Sequence, residues 1–146
     1  MISNRAQGYG FEDGKPRNDR LIGMSQPGGA GGLISTARDL VRWQIALVSG
    51  QVVKPESYEE MTLPYMLADG HETAYGFGLG LKPMLDHPCV SHNGGIFGFN
   101  SALAYFPEPK LSLAVISNGE ALNSDAVLQE LARALLASSG APGSGG

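Results

Sequence analysis

Apolar residues recur at helical spacing in two stretches of this chain and at every second position in a third. Between residues 36 and 49, Leu40, Trp43 and Leu47, with Ala37, Val41 and Val48 one step around, predict a helix with a broad apolar face. Ser35 or Thr36 is placed to cap it, Asp39 lies in its first turn, and Gly50 stops it. Pro55 suits the first turn of a short second helix that carries Tyr58 and Met61 and ends before Pro64. The period then changes to two. Tyr75, Phe77, Leu79 and Leu81 alternate with Gly76, Gly78, Gly80 and Lys82, which predicts a strand whose bare face another element approaches closely. Shorter strands are expected at 89–92, 99–106 and 111–117, the last two joined by the hairpin-like Pro107-Glu108-Pro109-Lys110. Asn123 or Ser124 then caps a final helix with Val127, Leu128, Leu131 and Leu135 on one face.

Residues 1–32 show no such period. Gly8, Gly10, Gly14 and Pro16 punctuate a polar stretch that ends in Pro27-Gly28-Gly29-Ala30-Gly31-Gly32, and a long irregular segment is expected there. Residues 138–146 have linker composition, so the folded part is expected to span 1–137. Together the elements predict an α+β fold, an antiparallel sheet with flanking helices. The C-terminal helix is expected on one sheet face, and the 36–49 helix in an adjoining helical part.

Composition narrows the function. Ten basic residues against 14 acidic give a net charge of −4, which argues against an electrostatic nucleic-acid partner. The 21 glycines point to tight turns and close backbone approaches rather than a helical bundle. Cys89 is the only cysteine, which rules out an intrachain disulfide and a four-cysteine zinc site. No apolar run approaches the ~18 residues of a membrane span, and Met-Ile-Ser-Asn-Arg-Ala lacks the basic-then-apolar order of an export signal.

Two candidate sites carry little weight. The Gly28–Gly32 run precedes a helix, but it lacks the spacing and the following Lys-Ser/Thr of a phosphate cradle, so a tight turn is the better reading. His87, Cys89 and His92 do not converge on an extended strand, since 87 and 89 share a face and 92 takes the other; no metal or cofactor is expected. His71 reads as a solvated loop residue. The informative segment is Ser91-His92-Asn93-Gly94-Gly95-Ile96-Phe97-Gly98-Phe99-Asn100-Ser101. It offers an imidazole at a strand end and two glycines that let a ligand reach the backbone, an edge able to direct an N–H at a developing oxyanion. A turn with a stray histidine gives a similar string.

The ordered set Gly-Gly-Leu-Ile-Ser-Thr-Ala-Arg-Asp-Leu (31–40), Tyr-Gly-Phe-Gly-Leu-Gly (75–80), His-Asn-Gly-Gly (92–95), Gly-Phe-Asn-Ser (98–101) and Ala-Val-Ile-Ser-Asn (114–118) resembles the C-terminal half of class C β-lactamase-like serine hydrolases. That group includes penicillin-binding proteins, D-aminopeptidases and serine esterases. The resemblance covers about residues 3–135 and implies part of a β-lactamase/transpeptidase-like fold. In that family a Ser-x-x-Lys nucleophile, a Tyr-x-Asn motif and a Lys/His-Thr/Ser/Gly-Gly strand build the site. Here His92-Asn93-Gly94 matches the third, with His for Lys and Asn in the middle place. The resemblance therefore implies catalytic roles for His92, as the electropositive or hydrogen-bonding group, and for Gly95, as an oxyanion donor. It implies substrate-binding roles for Asn93 and Gly94, of which Asn93 departs from the pattern.

No Ser-x-x-Lys and no Tyr-x-Asn occurs among the 146 residues. Serine acyl transfer needs a nucleophile, a base and an oxyanion hole together. The expectation is a C-terminal portion of such an enzyme, inactive alone and acting on a small acyl substrate once a complementing N-terminal half is supplied. The alternative is a non-catalytic binding or self-assembly module built on the same sheet. Because the family's earlier strands are missing, the chain is expected to associate with that half or to form a homodimer.

Overall fold

The computed structural model describes residues 3–20, 23 and 25–139. Its elements are β1 (Tyr9–Glu12), β2 (Lys15–Asn18), α1 (Gly28–Gly31), α2 (Ala37–Val48), α3 (Pro55–Met61), β3 (Val90–Ile96), β4 (Phe99–Phe106), β5 (Leu111–Ser117) and α4 (Ser124–Ser139). The centre is an antiparallel three-stranded sheet in the order β3-β4-β5, with His92 opposite Leu103 and Ala102 opposite Val115. The α+β expectation holds. Among the described residues no helix is long and apolar enough to cross a membrane.

The sheet is covered on both faces. Ala102, Ala104 and Phe106 of β4 and Leu113 of β5 point to one side, where Leu128, Ala132 and Leu136 of α4 close a core that also takes in Cys89. Burying a leucine such as Leu128 contributes about 1.5–3 kcal/mol. The buried stripe of α4 runs at i, i+4, i+8, so Leu131 and Leu135, expected on the core face, lie on its flank at 43% and 42% exposure. Asn123 rather than Ser124 caps the helix, its Oδ1 accepting from the Ala126 N–H at 3.0 Å. The helix continues through Ser139, into the expected tail; residues 140–146 lie outside the described residues.

On the opposite face, α2 lies mainly over β5. Thr36 caps it, accepting from the Asp39 N–H at 3.2 Å, and Gly50 follows its end with φ +77°. The buried stripe is Gln44 and Leu47, flanked by Ala37, Leu40, Val41 and Val48. Trp43, expected on this face, stands 53% exposed instead. Gln44 is 5% exposed, and its amide bridges one peptide of β4, donating to the Ala104 carbonyl at 3.1 Å and accepting from the Tyr105 N–H at 3.2 Å.

Two further expectations change. Residues 1–32 are not wholly irregular: β1 and β2 form a hairpin. Tyr9 at its base donates its N–H to Asn118 O (2.9 Å) and accepts from the Glu120 N–H (3.0 Å), while Arg20 lies 3.7 Å over the Phe97 ring. The hairpin thereby straps the turn between β3 and β4. Residues 75–82 do not form a continuous strand; they pair at the isolated bridges Tyr75–Gly80 and Gly80–Ser91, and the Phe77 N–H donates to the Met61 carbonyl at 3.0 Å. Gly78 adopts φ +72°, a conformation that glycine supplies cheaply, and the chain turns back there. The expected close approach is real, since a Cβ on Gly76 would fall 2.0 Å from the Met61 carbonyl oxygen.

Candidate functional site

The site grows from how β3 is exposed on its outer edge. Residues 80–91 form an irregular hairpin about the Leu85-Asp86 turn, with bridges at Met84–His87 and Gly80–Ser91. Ser91 exchanges both backbone bonds with Gly80, at 2.7 and 2.9 Å. Had that register continued, Gly78 would face Asn93, but the turn at Gly78 takes the chain away. β3 is therefore uncovered beyond Ser91 among the described residues. Alternation along a strand then fixes which groups look outward. Those of Ser91 do, so those of Asn93 and Gly95 do also, while His92 and Gly94 bond inward to β4. The Gly95 N–H thus sits on an open edge.

The same turn brings Tyr75 back beside Gly80 and onto His92. The Tyr75 hydroxyl lies 2.7 Å from His92 Nε2, with the two rings edge to face at a 5.9 Å centroid separation. His92 Nδ1 lies 2.6 Å from the Asn93 carbonyl oxygen. A carbonyl only accepts, so Nδ1 carries the proton, and in the neutral ring Nε2 accepts from the phenol. Nothing in the sequence marks Tyr75 as a partner of His92, because 17 positions separate the two and the Gly78 turn joins them.

Asn93 projects to the other face of the sheet, as strand alternation requires. Its Nδ2 donates to Asp125 Oδ2 at 2.7 Å, tying β3 to the first turn of α4. The side chains of His92 and Asn93 therefore do not meet. Gly94 and Gly95 lie side by side on the edge strand. A Cβ at either would make only an ordinary contact at 3.4 Å, with Ser101 Oγ and Asn100 Oδ1 respectively, so packing within the described residues does not demand glycine at either position.

The other candidates separate. His87 sets its ring edge to face against Phe106, 6.5 Å between centroids, and Cys89 is buried in the core. Burial pushes the Cys89 thiol up to about 11, so it is not a nucleophile at neutral pH. No group of three potential metal ligands occurs among the described residues. Gly28–Gly31 forms the single turn of α1, and His71 is exposed beside Asp69.

Comparison with known proteins bears on the family and the fold. The Beta-lactamase family profile matches residues 2–138. The penicillin-binding protein PbpX of Bacillus subtilis (strain 168) is 28% identical over 113 residues, which cover 77% of this chain and 27% of the relative. The D-amino acid amidase of Ochrobactrum anthropi SV3, solved with D-phenylalanine, superposes with a TM-score of 0.67 at 27% identity, covering 94% of this chain and 45% of that one. The octameric penicillin-binding protein homologue of Pyrococcus abyssi shares the fold, with a TM-score of 0.76 at 24% identity over 90% of this chain and 31% of its own. The chain thus spans about a quarter of PbpX and less than half of either solved structure. With its profile match over nearly the whole length and its mixed helix and antiparallel-sheet architecture, the chain belongs to the Beta-lactamase family, with a class C-like serine hydrolase fold.

Proposed function

We propose that this chain supplies the His92 wall of a serine acyl-transfer site whose nucleophile comes from sequence outside its 146 residues. The observation that carries this reading is the open edge of β3, which presents His92, two adjacent glycines and an outward Gly95 N–H in a chain without Ser-x-x-Lys or Tyr-x-Asn. In this reading the serine of the other part attacks the acyl carbon, and the Gly95 N–H receives the oxyanion as negative charge develops. Gly94 keeps the edge free of side chains so that the substrate can lie against it. His92 provides the hydrogen-bonding or electropositive group beside the reacting atoms. Asn93 meets the substrate through its outward main chain, its side chain being held by Asp125. The substrate is a small acyl compound, an amide, ester or lactam, consistent with relatives named as an amidase and a penicillin-binding protein.

The test joins this chain to a nucleophile-bearing N-terminal half, fused or supplied as a second chain. Acyl-transfer activity should appear, and His92→Ala should lower turnover about 10²-fold or more, the range for a lost acid–base or electrostatic group. Full activity in the His92→Ala assembly overturns the assignment.

A further inference from the structure

Both ring nitrogens of His92 are already engaged within the chain, Nδ1 by the Asn93 carbonyl and Nε2 by the Tyr75 hydroxyl. A neutral imidazole bound in this way has no donor left to offer a substrate. We propose that Tyr75 is the positioning partner of His92, holding it in the Nδ1–H tautomer and linking it to the site through the phenol oxygen; this rests on the role given to His92 above. The phenol donates one proton to Nε2 and its oxygen keeps acceptor capacity. A proton delivered to that oxygen leaves the phenol intact when the original O–H proton passes to Nε2, which yields an imidazolium still bonded through Nδ1–H to Asn93. The reverse transfer returns it. Both charge states keep the same two contacts, with only the donor at the Nε2 contact exchanged.

The fold holds Tyr75 for this purpose. Its carbonyl accepts from Thr73 Oγ1 at 2.9 Å and from the Tyr65 N–H at 3.3 Å, and it bridges to Gly80 across the Gly78 turn. Gly80 in turn is fixed to Ser91, the residue before His92. One short hydrogen-bonded path therefore sets the phenol against the imidazole.

The experiment records ring-nitrogen NMR of the ¹⁵N-labelled 146-residue chain and compares Tyr75→Phe with the wild type. His92 should be in the Nδ1–H form in the wild type, and the ratio of Nδ1–H to Nε2–H should fall roughly fivefold in Tyr75→Phe, the weight of one ordinary hydrogen bond. Gly78→Ala strains the φ +72° turn while its methyl meets nothing within 4 Å, and should move the ratio the same way. In the assembled enzyme, Tyr75→Phe should lower kcat about tenfold with KM little changed. An unchanged tautomer ratio in both variants overturns the proposal, as does a shifted ratio with unchanged kcat. Full activity of His92→Ala together with a shifted ratio defeats the role given to His92 and leaves Tyr75 a structural partner only.

Discussion

Asn93 Nδ2 donates to Asp125 Oδ2 across 2.7 Å, so the strand that carries His92 is tied to the first turn of α4, 32 residues further along the chain. The bond is charge-assisted but exposed, and Asp125 also faces the positive end of the helix dipole. A double-mutant cycle with Asn93→Ala and Asp125→Ala, read by urea unfolding, should give a coupling of about 0.5–1.5 kcal/mol. In the assembled enzyme both single variants should raise KM to a similar small extent, through the strand. A large KM effect from Asn93→Ala with none from Asp125→Ala would instead put the Asn93 side chain on the substrate.

The chain by itself has no serine set before a lysine at the required spacing. Incubated alone with a fluorophosphonate or a β-lactam probe, it should show neither a burst nor a covalent adduct by mass spectrometry. Stoichiometric labelling of any serine would reveal a nucleophile that operates without the motif.

Cys89 should behave as a buried, protonated thiol. Burial raises its pKa to about 11, so the folded state holds the proton more tightly than the unfolded one. The associated stability is intact below the ordinary thiol range near ~8.5 and is lost as pH climbs toward 11. A disulfide reagent at pH 8 should therefore react at a rate that follows unfolding, rising with urea. Rapid reaction in the absence of denaturant would show that the β4–α4 core opens locally around Cys89.

The sequence pattern reveals β4, β5, α2 and α4 because each buries a face whose period survives in local residues, although in α4 the buried stripe, Leu128-Ala132-Leu136, is rotated from the expected one. It reveals α3 through Pro55 in its first turn. It fails where long-range contact decides. The Tyr9–Asn18 hairpin has almost no apolar alternation and is held by backbone bonds to residues 98, 118 and 120. The 75–82 stretch has a strand's period, yet Gly78 turns it, because φ +72° costs glycine little. Within the site, the His92-Asn93-Gly94-Gly95 run is visible as chemistry, but the Tyr75 contact depends on that turn. Gln44 shows the same effect in the core: a polar residue at a buried helical position makes sense only when β4 places a peptide beneath it.

Gln44→Leu tests that last point. It keeps the volume but loses both bonds to the Ala104–Tyr105 peptide, so it should cost about 1 kcal/mol. Gln44→Ala, which also leaves a void between α2 and the sheet, should cost about 2 kcal/mol or more. Equal melts for wild type and Gln44→Leu would show that the amide contributes packing alone.

β5 ends the sheet order, and among the described residues no strand lies beyond it. Its sequence, Leu-Ser-Leu-Ala-Val-Ile-Ser, holds no charge and no proline, the devices by which natural edges discourage pairing. One face is already covered by α4 and the other by α2, so an added strand would gain backbone bonds at a prepared edge. Ile116, 38% exposed near the end of this strand, adds an apolar contact for whatever pairs there. The chain at micromolar concentration should therefore dimerise or assemble further through β5, and a complementing half that pairs with this edge should suppress the self-association. Size-exclusion chromatography with light scattering measures both effects. Ile116→Lys, which places a charge on the edge strand, should weaken the assembly far more than Arg42→Ala on the exposed side of α2. A monodisperse monomer of 15.3 kDa with a cooperative melt would mean that the edge is satisfied within the chain, and the association argument would fail.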